Sequence, residues 1–141
     1  MRRGFLAMVL WLAAALPVLA QPALTERDRT AMQDTIARQI EAFRADDGAL
    51  AFSLATPGIR AVFGDAESFM RMVRSGYAAV YRPREFRFRD TLALGEGWAQ
   101  TALVVGPDGV AMLAIYPMRR QPDGRWLIDG CELVPLPDRT T

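Results

Sequence analysis

Asp90 is the residue whose type and place most suggest chemistry. It stands within Phe86-Arg87-Phe88-Arg89-Asp90-Thr91-Leu92-Ala93-Leu94. Strict alternation puts Asp90 on the face of Phe86, Phe88, Leu92 and Leu94. A carboxyl on an inward apolar face loses hydration, and its pKa rises toward that of a general base. Tyr81 and Tyr116 are the phenols that complete this candidate catalytic set. The competing reading is an Asp at a strand edge, held by Arg89 or another Arg, since structural ion pairs also perturb carboxylates.

A second constellation runs Arg71, Arg74, Tyr77, Tyr81, Arg82 and Arg84. Arg71 and Arg74 are three apart, so on a helix they share a face. Guanidinium forks grip carboxylate or phosphate through paired hydrogen bonds. Arg71, Arg74, Tyr77, Tyr81 and Arg82 are therefore candidate ligand-binding residues. The alternative is internal pairing with Glu67, Glu85 or Asp47.

Other chemistries lose their residues. There is no His, and all 17 cationic side chains are Arg, so the commonest general base and the Schiff-base amine are both missing. Asp46-Asp47 falls short of a calcium site, which takes about 6–8 oxygens. Ser53, Ser68 and Ser75 have no His to activate them, and no Gly-rich phosphate loop is present. The sequence predicts no metal and no cofactor. Cys131 is the one cysteine, so no disulfide forms within the chain. Between Ile128 and Leu133 it reads as a buried, inert thiol rather than a reactive one.

The chain begins with Arg2-Arg3, an uncharged apolar run from Gly4 to Leu19, and Val18-Leu19-Ala20. That layout predicts a signal peptide over residues 1–20 cleaved at Ala20, with no stable membrane span afterwards. The full chain carries a formal charge of +1, and Arg2 and Arg3 leave with the leader. The near-neutral remainder argues against capture of nucleic acid.

The elements that must position these residues follow from periodicity. Residues 21–29 read as spacer and helix start, with Thr25 able to cap. Met32, Ile36, Ile40 and Phe43 form one helical stripe, ended by Asp46-Asp47-Gly48 with Gly48 left-handed. A short apolar segment, 49–55, precedes the turn Thr56-Pro57-Gly58 and one further helical turn to Phe63. Asp65 caps another helix that Gly76 stops, with Phe69 and Val73 facing the core. The period then switches to two. Strands run 86–94, 98–105, 110–119 and 126–134, with turns at Gly95-Glu96-Gly97, Pro107-Asp108-Gly109 and Pro122-Asp123-Gly124.

Helices followed by an antiparallel meander predict a single α+β domain over residues 30–135, with a disordered tail at 136–141. The N-terminal helices would pack on a curved four-stranded sheet, cone-like, with an apolar cavity at its open end. Both faces of the central strands are apolar: Ala99, Thr101, Leu103 and Val105, with Ala111, Leu113 and Ile115, leave a homodimer through the outer sheet face open.

Several blocks carry a resemblance: Gln39-Ile40-Glu41-Ala42-Phe43-Arg44-Ala45-Asp46-Asp47, Ala55-Thr56-Pro57-Gly58-Ile59, Phe69-Met70-Arg71-Met72-Val73, Val80-Tyr81-Arg82-Pro83 and Gly124-Arg125-Trp126-Leu127-Ile128-Asp129-Gly130-Cys131. In order along the chain they resemble the bacterial family of domain of unknown function 4864. That resemblance implies no activity, and a bacterial setting makes the periplasm the expected compartment. More weakly, the layout looks like the nuclear-transport-factor-2-like cone shared with SnoaL-like cyclases and ketosteroid isomerases. The expectation is an exported, non-catalytic module that binds a small molecule or a protein partner. The alternative is a cofactor-free isomerase, dehydratase or cyclase using Asp90 with Tyr81 or Tyr116 in an apolar cone.

Overall fold

A computed structural model describes residue 15 and residues 23–137. The leader's cut at Ala20 and the tail beyond Pro137 lie outside the described residues. Among the described residues no helix is long and apolar enough to cross a membrane.

Helices come first. α1 (Glu26–Arg44) opens with a capping box: Thr25 Oγ1 accepts from Asp28 N, and Asp28 Oδ2 accepts from Thr25 N at 3.1 Å. Its buried stripe is Met32, Ile36, Ile40 and Phe43, joined by Gln39. α2 (Gly48–Ser53) starts at once, because Asp46 rather than Gly48 takes the left-handed conformation, at φ 50°. Gly48 instead permits a close approach, since a Cβ there would meet Met70 Cγ at 2.9 Å. α3 (Pro57–Phe63) is capped by Thr56, and α4 (Ala66–Gly76) by Asp65. α5 (Ala78–Tyr81) is one turn.

The antiparallel sheet that follows is open and somewhat curled. β1 (Glu85–Leu94), β2 (Gly97–Val105), β3 (Ala111–Arg120) and β4 (Trp126–Ile128) lie side by side in chain order. β5 (Glu132–Pro135) also pairs with β3. The fold is α+β, with the core between the helices and the sheet face bearing Ala102, Val104, Ala114, Tyr116 and Met118.

Two irregularities depart from the simple alternation. In β1 the register steps from Phe88↔Ala102 to Thr91↔Gln100, so Arg89 and Asp90 bulge opposite Thr101 alone. Thr101 Oγ1 accepts from Asp90 N at 2.9 Å and donates to Asp90 O at 3.0 Å. Buried Gln100 reaches Arg89 O at 3.3 Å and Asp90 O at 3.4 Å through its Nε2. The extra residue reverses every face beyond it. Phe86 and Phe88 stay inward, while Asp90, Leu92 and Leu94 are exposed.

The other irregularity is on the opposite side of the sheet. The single strand expected over Trp126–Val134 is divided at Asp129–Cys131. Register passes from Met118↔Ile128 to Ile115↔Glu132, so three residues oppose Tyr116 and Pro117. The turn between α2 and α3 docks beside the break: Ile128 N donates to Leu54 O at 3.0 Å, and Thr56 N to Ile128 O at 2.9 Å. Gln100 and Tyr116 are cross-strand partners, so bulge and break fall close to one row across the sheet.

Candidate functional site

Helices, sheet and strand break converge on an apolar cavity of about 340 Å³. α1 supplies Gln39 and Phe43, and α3 supplies Ile59 and Phe63 at helical spacing of four. α4 presents Phe69, Met72 and Val73 inward, which leaves Arg71 and Arg74 pointing away. The α4–α5 junction adds Tyr77 and Val80. From the sheet come Tyr116 and Ile128, and from the break Gly130 and Cys131. Phe69 organises the rings, with centroids 6.3 Å from Phe43, 5.6 Å from Phe52 and 5.7 Å from Phe63.

The polar side chains in this wall are Gln39, Tyr77, Tyr116 and Cys131, and no lining residue carries a charge. Gln39 Nε2 is already committed to Ala51 O at 3.1 Å. Tyr116 is fully buried, and its hydroxyl has no hydrogen-bond partner. Burial holds the phenol well above its ordinary range, and the nearby Cys131 raises it further without completing a hydrogen bond of ordinary geometry. Burial likewise pushes the Cys131 thiol up to about 12. Both groups are neutral at physiological pH, and the thiol is not a nucleophile.

The sequence candidates divide between places. Tyr77 and Tyr116 meet in the cavity. Asp90 does not join them: the β1 bulge turns it out to solvent, away from the cavity. Tyr81 and Arg82 belong to a separate polar cluster. Tyr81 donates from its hydroxyl to Asp46 Oδ1, and Arg82 pairs with Asp46 Oδ2 at 3.1 Å. Arg82 also donates to Phe43 O, and its guanidinium stacks 4.1 Å above the Tyr81 ring. The Tyr81 hydrogen bond, then the Arg82 and Arg74 charges, hold the Asp46 carboxyl below the usual range. This knot ties α5 to the C-terminal end of α1. Arg71 is exposed and turned back on its own helix, to Ser68 Oγ at 3.1 Å and Glu67 at 3.6 Å. The five basic and phenolic ligand candidates therefore do not form one site.

Sequence reasoning missed Gln39, Ile59, Phe63 and Met72 as cavity residues. The signal for Gln39 was its position on the stripe of Met32, Ile36, Ile40 and Phe43, where a polar residue must find a partner. Among the described residues no group of three or more Cys, Asp or Glu side chains is arranged to hold a metal ion.

Residues 25–141 match the family described as domain of unknown function, DUF4864. The chain belongs to that family. No curated protein and no solved structure matches it.

Proposed function

We propose that the protein is a non-catalytic binding module whose cavity takes a small, largely apolar molecule. The observation that carries this reading is the cavity itself: about 340 Å³, walled by aromatic and aliphatic side chains from both layers of the fold. Ligand sites typically span about 300–1,000 Å³ with few polar groups. At roughly 30 Å³ per non-hydrogen atom, this one holds on the order of ten. An acid–base enzyme in an apolar cone needs a carboxyl among its wall residues, and the lining has none. A wider hollow on the outer sheet face, of about 800 Å³ and edged by Arg89, Leu103, Val110 and Leu136, has no buried polar group to orient a ligand.

The test is binding of the neutral fluorophore 1-aminonaphthalene, which matches that size. The wild-type protein should bind it saturably. Val73→Phe, which fills the cavity from α4, should weaken binding about tenfold or more while the protein stays folded. Equal binding by the two proteins would place the fluorophore elsewhere and refute the reading.

We further propose that the module is exported to the periplasm through residues 1–20, and that its cone-like layout is of the nuclear-transport-factor-2 kind. Export rests on the basic start, apolar run and small-residue cut of the leader. Periplasmic protein beginning at Gln21 is the expected product, and full-length protein retained in the cytoplasm would refute export.

A further inference from the structure

We propose that the Gln39 side-chain carbonyl is the polar anchor of the cavity, accepting a hydrogen bond from a neutral donor, so that the ligand is an uncharged compound bearing one O–H or N–H group, an alcohol or a phenol being the simplest. This rests on the cavity being a ligand site. Gln39 lies on the inward stripe of α1, is 5% exposed, and lines the cavity beside Phe43. Its Nε2 donates to Ala51 O at 3.1 Å, which fixes the orientation of the amide, since the flipped form would set two acceptors against each other. The amide oxygen is thereby turned away from α2. Among the described residues Oε1 accepts from no group. The side-chain polar atoms there that are both sealed and unpartnered are Arg60 Nε and the Tyr116 hydroxyl, so Oε1 is within reach of an incoming group. A buried acceptor with no protein partner is one that a ligand or water must satisfy.

The remaining wall sets the rest of the chemistry. With no charged residue among the lining, a carboxylate or an ammonium would enter without a counter-charge and lose its hydration. A ligand oxygen without a proton would meet the amide oxygen as acceptor against acceptor. The ligand class is therefore a compact hydrocarbon frame that carries one donor.

The test uses four probes of nearly equal frame: thymol, p-cymene (the same frame without the hydroxyl), carvone (an acceptor only) and 4-isopropylbenzoate. Each displaces 1-aminonaphthalene at about pH 7, where the phenol is neutral and the carboxylate ionised. The wild-type protein should prefer thymol over p-cymene by about fivefold, one neutral hydrogen bond, with carvone no better than p-cymene and the carboxylate unbound. Gln39→Leu should keep its affinity for p-cymene, which also shows that it folds, and lose the preference. A readout on unaltered protein supports the variant: the Gln39 Cδ carbon resonance should move downfield with thymol and stay in place with p-cymene. Equal affinity for thymol and p-cymene, carvone matching thymol, a preference that survives Gln39→Leu, or an unmoved Cδ resonance would overturn the anchor and leave the cavity reading standing. Failure of all four probes and of the fluorophore would overturn both.

Discussion

A phenol hydroxyl buried without a partner costs about 1–3 kcal/mol, and Tyr116 is in that position. Tyr116→Phe should therefore unfold at higher urea concentration than the wild type when empty, a gain of about 1 kcal/mol with an unchanged denaturant slope. A residue that only stabilised the core would show a loss. Cys131 makes a second prediction. Its thiol titrates near 12 in the folded protein against an ordinary 9.0, so the folded state keeps a proton that the unfolded state has lost between those values. Stability should be intact below about pH 9 and fall as the pH rises toward 12, and Cys131→Ala should flatten that fall in thermal melts across the alkaline range. The sequence made Tyr116 visible as a phenol on an apolar strand. It misplaced Asp90 because alternation assumes an unbroken ladder, and the bulge is enforced by Thr101 and Gln100 on the neighbouring strand.

Among the elements, the helices were the more legible, because caps and stripes are local. Thr25 and Asp65 cap where their types suggested, and Thr56, read as part of a turn, caps α3. Asp65 Oδ1 accepts from Ser68 N at 2.7 Å, and that hydrogen bond chiefly holds its carboxyl below the usual carboxylate range. A carboxyl lowered in the folded state stabilises above its ordinary pKa and loses that effect as pH falls through the folded value. Asp65→Ala should melt at a lower temperature than wild type at neutral pH, and the gap should close in acid, read from melts at decreasing pH. α4 carries Phe69, Met72 and Val73 to the cavity, so its loosening should also weaken fluorophore binding. The last strand was less legible. Trp126 to Val134 is apolar enough for one strand, and only docking of the Leu54–Thr56 turn on Ile128, a contact between distant segments, explains the break.

For the whole molecule, the layering of helices on an antiparallel sheet followed from the order of periods along the chain. The cavity did not, because its wall draws on α1, α3, α4, β3 and the strand break, and no local pattern encodes how they close. A ligand held there binds only the folded state. The fluorophore 1-aminonaphthalene at about a hundred times its dissociation constant should add about 2.7 kcal/mol, and raise the melting temperature by roughly 10 °C in a domain of this size. The same dose should stabilise Val73→Phe, which binds at least tenfold more weakly, by no more than about 1.4 kcal/mol. The bulge at Arg89–Asp90 and the break at Asp129–Cys131, set near one row through Gln100 and Tyr116, have a mechanical consequence. They score the sheet as a crease scores card. The bulge kinks β1 and the break divides the last strand, so the sheet changes direction at that one row beside the cavity. The row through Gln100 and Tyr116 is thus the sheet's one scored line, and the cavity lies against it.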